Sequence, residues 1–365
     1  MTRSLFILVL LPICTSLYGQ TASLIQPLSG GISETSGLII IDGRFITHND
    51  SGGDAALYEI DTTSGNIART VVLNGVENTD WEDITRDETY IYVGDIGNNP
   101  GNRTDLRIQR IAISDYINTP TDAVNPETIY YSYEDQTAFP NSTFTTNFDG
   151  EAMVAIDGSI FIFTKNWGNQ FCNIYQIPAT PGTHSAVNMG NLNPQGLITG
   201  ADYNITNGHL TLVGHSLFLQ PFVVDIVNFD NGEFDSFQKT NFALPGGYSG
   251  QAEAIAQNNG TYYITSEASF VGESGLYSLP ATYTLDTEVL NEPHVKVYPN
   301  PAIDKIFIDY GNFARAEVRT ITGELLLTSR SSEIDIEHLS EGIYILTIWN
   351  KLNNQSKQVK FAVVQ

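Results

Sequence analysis

The fold is decided by a stretch at residues 36–50, which reads SGLIIIDGRFITHND. An apolar run of strand-forming residues leads into Asp42-Gly43, a dipeptide typical of two-residue hairpin turns. A second apolar run follows and ends in the polar residues His48, Asn49 and Asp50. The stretch therefore predicts a β-hairpin with polar residues at its open end.

The same pattern occurs five times between residues 21 and 290. The copies start at the anchor residues Ser36, Glu82, Glu151, Ala201 and Glu253, at separations of 46, 69, 50 and 52 residues. Three later copies also carry a turn dipeptide, namely Asp157-Gly158, Asn207-Gly208 and Asn259-Gly260. Repeats of about 50 residues that hold a hairpin and two further strands are typical of β-propellers.

The ends of the repeat array predict how the ring closes. The fifth copy lacks a clear fourth strand, and residues 23–28, which precede the first copy, can supply it. We therefore predict an all-β chain with a five-bladed propeller at residues 21–290, and the 69-residue interval leaves room for a sixth blade.

Charge narrows the classes of partner. The 365-residue chain has 41 acidic and 17 basic residues, a formal net charge of -24. This balance repels nucleic-acid phosphates and anionic lipid, and it suits divalent cations or neutral and cationic partners. We expect no nucleic-acid partner and no transmembrane segment, and we expect a monomer.

The first twenty residues predict export. Arg3 is followed by an apolar run and then by small or polar residues, the pattern of a cleaved signal peptide at residues 1–20. Cys14 does not form a lipoprotein box, because Ile13 stands where a small residue is needed. Cleavage would leave Cys172 as the one cysteine, and its apolar neighbours predict a buried, unreactive thiol.

The repeat pattern ends before residue 295, and a different set of strand and turn motifs follows. VYPNP at residues 297–301, a Gly323-Glu324 turn and LSEGIYIL at residues 339–346 predict short alternating strands in a β-sandwich of about 70 residues. In order and spacing these motifs resemble the C-terminal sorting domain of type IX secretion cargo from Bacteroidetes. The resemblance implies that residues 291–365 are such a domain and that the type IX machinery is a partner. It also implies that the protein passes through the periplasm to the cell surface or the medium.

A propeller places the start of each blade's first strand and the end of its second strand around one channel mouth. This geometry predicts a ring of Ser36, Glu82, Glu151 and Glu253, joined in the fourth blade by residues 199–202. Polar residues just outside the ring are candidate catalytic groups. These candidates are Asp50, Asp95, Lys165, His215 and Glu267.

Three carboxylates around a narrow channel need a counter-charge, because at ~5–6 Å they repel one another. Ca²⁺ provides that charge and takes about 6–8 oxygen ligands, whereas the absence of Cys and His from the ring argues against zinc and copper. Two alternatives are a different cation, and glutamates that are merely solvated or cap strand-end amides. Within Asp80-Trp81-Glu82 and Asp149-Gly150-Glu151 we expect the carboxylates to face opposite sides, which disfavours a glycosidase pair.

Blades one and two also resemble the calcium-activated nucleotidases (apyrases), which are five-bladed propellers with a central ion. The similar segments are residues 36–38, 49–52 and 57–60 in blade one, and residues 80–82 and 92–97 in blade two. The resemblance implies Ser36, Glu82, Glu151 and Glu253 as calcium ligands. The basic residues placed to grip a phosphate are few, namely Arg44, Arg103, Arg107 and Lys165.

These observations predict a secreted or cell-surface calcium-binding propeller whose polar mouth binds a small molecule or a glycan. They leave open whether the mouth hydrolyses a phosphate or other ester with calcium. One alternative is a non-catalytic binding or adhesion propeller in which calcium is structural, and another is a purely structural surface protein.

Overall fold

The computed structural model describes residues 20–230, 232–234, 236–245, 251–268, 273–281, 296–310, 313–320, 323–351 and 356–364. The chain forms two compact units, Met1–Thr284 and Leu285–Gln365. Apart from Gln20, the predicted signal peptide lies outside the described residues, as does the predicted boundary between residues 290 and 291.

The first unit begins with two short strands and a 3-10 turn, and four-stranded sheets follow. The opening elements are β1 (Gln20–Thr21), β2 (Ser23–Pro27) and the turn Gly30–Ile32. Blade one comprises β3 (Thr35–Ile41), β4 (Arg44–Asn49), β5 (Ala56–Ile60) and β6 (Ile67–Leu73). Blade two comprises β7 (Trp81–Arg86), β8 (Tyr90–Asp95), β9 (Arg107–Ala112) and, after helix α1 (Ile113–Asn118) and β10 (Ala123–Val124), β11 (Glu127–Tyr133).

Blades three and four are each built from four consecutive strands, and blade five takes its fourth strand from the N-terminus. Blade three comprises β12 (Gly150–Ile156), β13 (Ser159–Thr164), β14 (Cys172–Pro178) and β15 (Gly182–Leu192). Blade four comprises β16 (Leu197–Asn204), β17 (His209–His215), β18 (Pro221–Val227) and β19 (Ser236–Ala243). Blade five comprises β20 (Ala252–Asn258), β21 (Thr261–Ser266), β22 (Gly275–Pro280) and, as its fourth strand, β2.

The five blades close into a ring, and blades two and three form one continuous eight-stranded sheet because their outer strands β11 and β15 pair. The inner strands contact one another in the order β3, β7, β12, β16, β20 and back to β3. One apolar cluster lies at each junction between neighbouring blades, as where Ile46 of blade one packs with Ile84 of blade two. The inner strands are apolar on both faces because each lies between two blades. The first unit is therefore a five-bladed β-propeller, and the 69-residue interval holds α1, β10 and a long loop instead of a sixth blade.

Closure uses the N-terminal strap, which we define as residues 20–28. The predicted fourth strand of blade five is confirmed, because β2 pairs antiparallel with β22. Gln26 Nε2 donates to the carbonyl of Thr63, and Ser29 N donates to the carbonyl of Gly65, so the strap and the residue after it also contact blade one. The strap thus joins the last blade to the first.

Three of the four predicted two-residue turns are confirmed. Asp42-Gly43, Asp157-Gly158 and Asn259-Gly260 have positive φ at both positions, as such hairpins require. The prediction for Asn207-Gly208 is wrong, because Asn204 pairs with His209 and the loop is therefore four residues long. The Asn204 side chain accepts a hydrogen bond from Thr206 N, which stabilises the longer turn.

Cys172 begins β14, the third strand of blade three, and is fully buried in the core between blades three and four. Burial raises the pKa of its thiol well above the usual range. The prediction of a buried cysteine is confirmed, and its chemistry is that of a small apolar core residue.

The second unit is built from two sheets that share one core. Its strands are β23 (Lys296–Tyr298), β24 (Lys305–Asp309), β25 (Phe313–Thr320), β26 (Leu325–Ser329), β27 (Glu333–Asp335), β28 (Gly342–Asn350) and β29 (Ser356–Val363). The sheet order is β23-β24-β27 in one and β26-β25-β28-β29 in the other. Ile306 from the first sheet and Leu346 from the second lie in the same apolar cluster, which makes this unit a small β-sandwich.

Candidate metal and ligand site at the channel mouth

Each inner strand of the propeller carries a β-bulge near its start. The pairing shifts between Thr35 and Leu38 in β3, and it skips one residue in each of the other inner strands. The residues displaced from the ladder are Ser36, Glu82, Glu151, Thr199 and Glu253, and all five are buried. A bulge frees one residue from ladder pairing and re-aims its side chain. The same bulge therefore occurs at the same height of the channel in all five blades. We call these five residues the ring positions.

The fourth ring position differs from the sequence-based anchor. Thr199 occupies it, whereas Ala201 lies two residues further along and packs in the apolar core. Thr199 Oγ1 donates to the carbonyl of Ala252 at 2.5 Å. In the same way Ser36 Oγ donates to the carbonyl of Glu82 at 2.6 Å. Hydroxyl groups at these two positions therefore tie neighbouring blades together.

Four of the five candidate catalytic residues form a second level above the ring. Asp50, Lys165 and Glu267 each follow the second strand of a blade and donate a backbone hydrogen bond to the residue two before a ring position. His215 holds the same place in blade four, paired with Leu197. The propeller repeat therefore brings these four side chains to one end of the channel, as the sequence predicts.

The fifth candidate, Asp95, is fully buried in an ion-pair network. Its carboxylate accepts from Arg103 Nη2 at 2.8 Å and from Arg107 Nε at 2.9 Å. It also accepts from Asp80 N at 3.1 Å. These contacts occupy both oxygens, so Asp95 positions the loops of blade two and engages two of the arginines considered for phosphate binding.

Three carboxylates converge beside blade two. Asp50, Asp80 and Glu82 each place an oxygen within 4.8 Å of the others. Asn78 helps to hold them there, because its Nδ2 donates to the carbonyl of Asp50 while its Oδ1 accepts from Trp81 N. We call Asp50, Asp80 and Glu82 the acidic cluster.

The acidic cluster corrects the expectation that Asp80 and Glu82 face opposite sides. The two residues are two positions apart, a spacing that places side chains on the same face, and Asp80 precedes the first residue of β7. Asp149 and Glu151 also approach each other closely enough to interact directly. Asp80 and Asp149 are candidate site residues that the sequence-based ring did not include, although the repeated Asp-x-Glu spacing is a signal for them.

Electrostatics show that the acidic cluster lacks sufficient positive charge. Burial, followed by the nearby carboxylates of Glu151, Asp50 and Asp80, raises the pKa of Glu82 well above its usual range. Burial and the neighbouring aspartates raise the pKa of Asp80 to about 7. Within the ranges that the structure describes, the Glu82 carboxylate has no hydrogen bond or ion pair, although the side chain is only 5% exposed.

The other two ring glutamates have protein partners. Glu151 Oε2 lies 3.0 Å from Lys165 Nζ. Glu253 Oε1 accepts from Gln251 Nε2 at 2.9 Å, and the same amide donates to Glu267 at 2.9 Å. Burial and the neighbouring Glu253 carboxylate raise the pKa of Glu267 to about 8. Of the three ring glutamates, Glu82 is therefore the one whose buried charge is not compensated by another side chain of the described residues.

A histidine and two aromatic residues complete the mouth. Burial, and then the Lys165 ammonium, lowers the pKa of His215 to about 4, so its imidazole is neutral at pH 7. Trp167 Nε1 donates to Asp149 at 2.8 Å, and the indole packs edge-on against Phe144 with centroids 4.6 Å apart. Phe144 is 59% exposed and has a φ of 60°. The mouth thus offers buried carboxylates beside an exposed aromatic surface.

Fold and site together define a five-bladed β-propeller with an acidic channel mouth and a separate C-terminal β-sandwich. Residues 296–364, in the sandwich, match the family described as the secretion system C-terminal sorting domain. The chain is therefore cargo of a type IX secretion system of the Bacteroidetes type, which delivers it to the cell surface or the extracellular space. No curated protein matches the chain.

The solved structures that match this chain are distant from it in sequence. One is PorZ, an essential surface component of the type IX secretion system of Porphyromonas gingivalis, at 14% identity and a TM-score of 0.35, covering 91% of this chain. This chain spans 45% of the length of PorZ. Another is the periplasmic gluconolactonase PpgL of Pseudomonas aeruginosa, at 12% identity and a TM-score of 0.37, covering 90% of this chain and 85% of that one. A third is an exo-β-1,3-galactanase of Phanerochaete chrysosporium, at 10% identity and a TM-score of 0.42, covering 92% of both chains.

Similarities this low carry no inference about the activity of this chain. None of the three proteins is a calcium-activated nucleotidase, so the resemblance to that family stays a prediction from the sequence. In the part of the chain that the structure describes, no helix has the length and hydropathy needed to cross a bilayer.

Proposed function

We propose that this exported propeller binds calcium at the acidic cluster of Asp50, Asp80 and Glu82 and uses the surrounding mouth to bind a ligand. The observation that carries the proposal is the Glu82 carboxylate, which is buried beside two other carboxylates and has no cationic or hydrogen-bonding partner among the described residues. Burying an ionised carboxylate without a partner is costly, and a bound cation removes that cost.

The donor set fits calcium. Three carboxylates supply up to about six oxygens, and backbone carbonyls and water can complete the 6–8 ligands that Ca²⁺ accepts. The cluster contains no sulfur or imidazole ligand, which disfavours zinc and copper. Compared with the predicted ring of Ser36, Glu82, Glu151 and Glu253, this site keeps Glu82 and exchanges the others for Asp50 and Asp80. The exchange is favoured because Ser36 and Glu151 already have protein partners.

Ligand binding without phosphate-ester hydrolysis is the favoured activity. A phosphate needs free cationic groups, and Arg103 and Arg107 are both engaged by Asp95. Arg44 lies near Glu59, which leaves Lys165, paired with Glu151 in this structure, as a single cationic group at the mouth. The carboxylates and the Phe144–Trp167 surface instead suit a neutral or cationic ligand, such as a small molecule or a glycan. The binding or adhesion propeller thus becomes the leading proposal, with calcium holding the mouth in shape.

The Gly97→Ala variant tests the site without changing any charge. A Cβ at Gly97 would collide with Glu82 Oε1 and Asp80 Oδ2, so these carboxylates must shift from the positions in which they form the acidic cluster. We expect calcium affinity, measured by titration calorimetry on the folded protein, to fall at least about tenfold.

Gly30→Ala is the matched control, because its Cβ would enter open space. The control should bind calcium as the parent does. Unchanged calcium affinity in Gly97→Ala, with folding verified by circular dichroism, would place calcium away from the acidic cluster.

A further inference from the structure

The ammonium of Lys165 lies among the ring glutamates. Its Nζ is 3.0 Å from Glu151 Oε2, and the residue is 8% exposed. Glu253 and Glu82 are the next strongest charges acting on it. The ammonium also lies 5.2 Å from the centroid of the Trp167 ring. A chain-borne cation therefore shares the ring with the proposed calcium ligand Glu82.

Among the residues that the structure describes, Lys165 is the one cationic side chain that forms an ion pair with a ring carboxylate. One positive charge is too little for its surroundings, because Glu82, Glu151 and Glu253 share it with Asp149. Repulsion between like charges is strong in a buried site because it is weakly screened. A divalent cation at the acidic cluster would therefore repel the Lys165 ammonium on Glu151, the neighbouring ring position. The flexible stem of lysine lets its charge withdraw towards solvent.

We propose that Lys165 is a built-in counter-ion of the ring glutamates that competes with calcium through charge: it pairs with Glu151, while its positive charge opposes a cation at the neighbouring acidic cluster. Before calcium binds, the ammonium limits the repulsion between Glu82, Glu151 and Glu253. When calcium binds at the acidic cluster, the ammonium leaves Glu151 and moves towards the mouth beside Trp167. This competition weakens calcium binding relative to the same site without the lysine. The inference rests on the calcium site proposed above.

The test is calcium titration calorimetry on the full chain with Lys165→Met. Methionine keeps an unbranched apolar stem and removes the charge. We expect the variant to bind calcium about tenfold more tightly than the parent, while its melting temperature in chelator falls. If Lys165 had only a structural role, its replacement would lower both the calcium affinity and the melting temperature in chelator.

Lys239→Met is the matched control. Lys239 is also a propeller lysine, but its Nζ donates to the carbonyls of Pro194 and Gln195 and not to a carboxylate. The control changes net charge by the same amount, so its calcium affinity should stay within about twofold of the parent value.

The outcomes separate this inference from the calcium site itself. If the parent binds calcium and Lys165→Met binds no more tightly, the competition is wrong and the calcium site stands. If the parent binds none and Lys165→Met binds, the competition stands and the native site is not a calcium site. If neither binds, both proposals are overturned.

Displacement of the ammonium has its own signature. Its withdrawal changes the surroundings of the Trp167 indole, so calcium should alter tryptophan emission in the parent. The change should be much smaller in Trp167→Phe, in which Trp81 beside the acidic cluster still responds to calcium, and much smaller in Lys165→Met. Calcium binding with no change in parent emission would show that the ammonium stays on Glu151, which would contradict the proposal.

Discussion

A chain that begins at residue 29 instead of residue 20 should melt about 10 °C lower than the full propeller. The N-terminal strap supplies the outer strand of blade five and buries Ala22 and Leu28. Losing a buried leucine costs about 2–5 kcal/mol, and each kcal/mol shifts the melting temperature of a domain of this size by about 2–4 °C. The loss also leaves β22 as an open edge, which favours aggregation. Thermal melts followed by circular dichroism provide the measurement.

A single methyl group offers a sharper version of the same test. A Cβ at Gly65 would collide with the carbonyl oxygen of Pro27 in the strap, and the residue has a φ of 73°. Gly75 has nearly the same φ, 75°, but a Cβ there would meet nothing. Gly75→Ala should therefore lose only the backbone cost of about 1–2 kcal/mol, and Gly65→Ala clearly more. Equal losses in the two variants would show that the strap contributes little to ring closure.

The Glu82→Gln variant should lose calcium-dependent stabilisation almost completely. Calcium at a hundredfold excess over its Kd stabilises the parent by about 2.7 kcal/mol, and chelation removes this gain. The amide keeps the shape of Glu82 but removes one charge from the acidic cluster. In chelator the variant should be at least as stable as the parent, because it relieves repulsion with Asp50, Asp80 and Glu151.

Glu88→Gln is the control for charge alone, since Glu88 is exposed in the turn between β7 and β8. It should respond to calcium as the parent does. A Glu82→Gln protein that keeps the full calcium response, or that loses equal stability with and without calcium, would show that Glu82 is no calcium ligand.

The fold was largely predictable because each blade carries the same short sequence pattern. Each blade shows an apolar hairpin with polar ends, and dipeptides such as Asp42-Gly43 fix the turns through their positive φ. The strap strand could be predicted from a count of strands alone. The four-residue turn after Asn204 and the insertion of α1 and β10 could not, because each depends on side-chain caps and edge pairing that no repeat specifies.

The end of the channel at which the site lies could be predicted from the sequence, but not the exact residues that form it. Ring glutamates and the residues after the second strands follow from the repeat. The bulges do not, because ladder pairing decides which residue is displaced, and in blade four it is Thr199 instead of Ala201. The approach of Asp50 to Asp80 depends on the Asn78 side chain, a contact between two blades that a one-dimensional pattern does not contain.

The anomalous scattering of a crystal grown with calcium tests the central claim most directly. The account predicts one peak between Asp50, Asp80 and Glu82, about 2.3–2.6 Å from their oxygens, with the Lys165 ammonium moved away from Glu151. A map with no peak at the acidic cluster, or with a peak held by Ser36, Glu151 and Glu253 while Asp50 and Asp80 remain apart from it, would contradict the account.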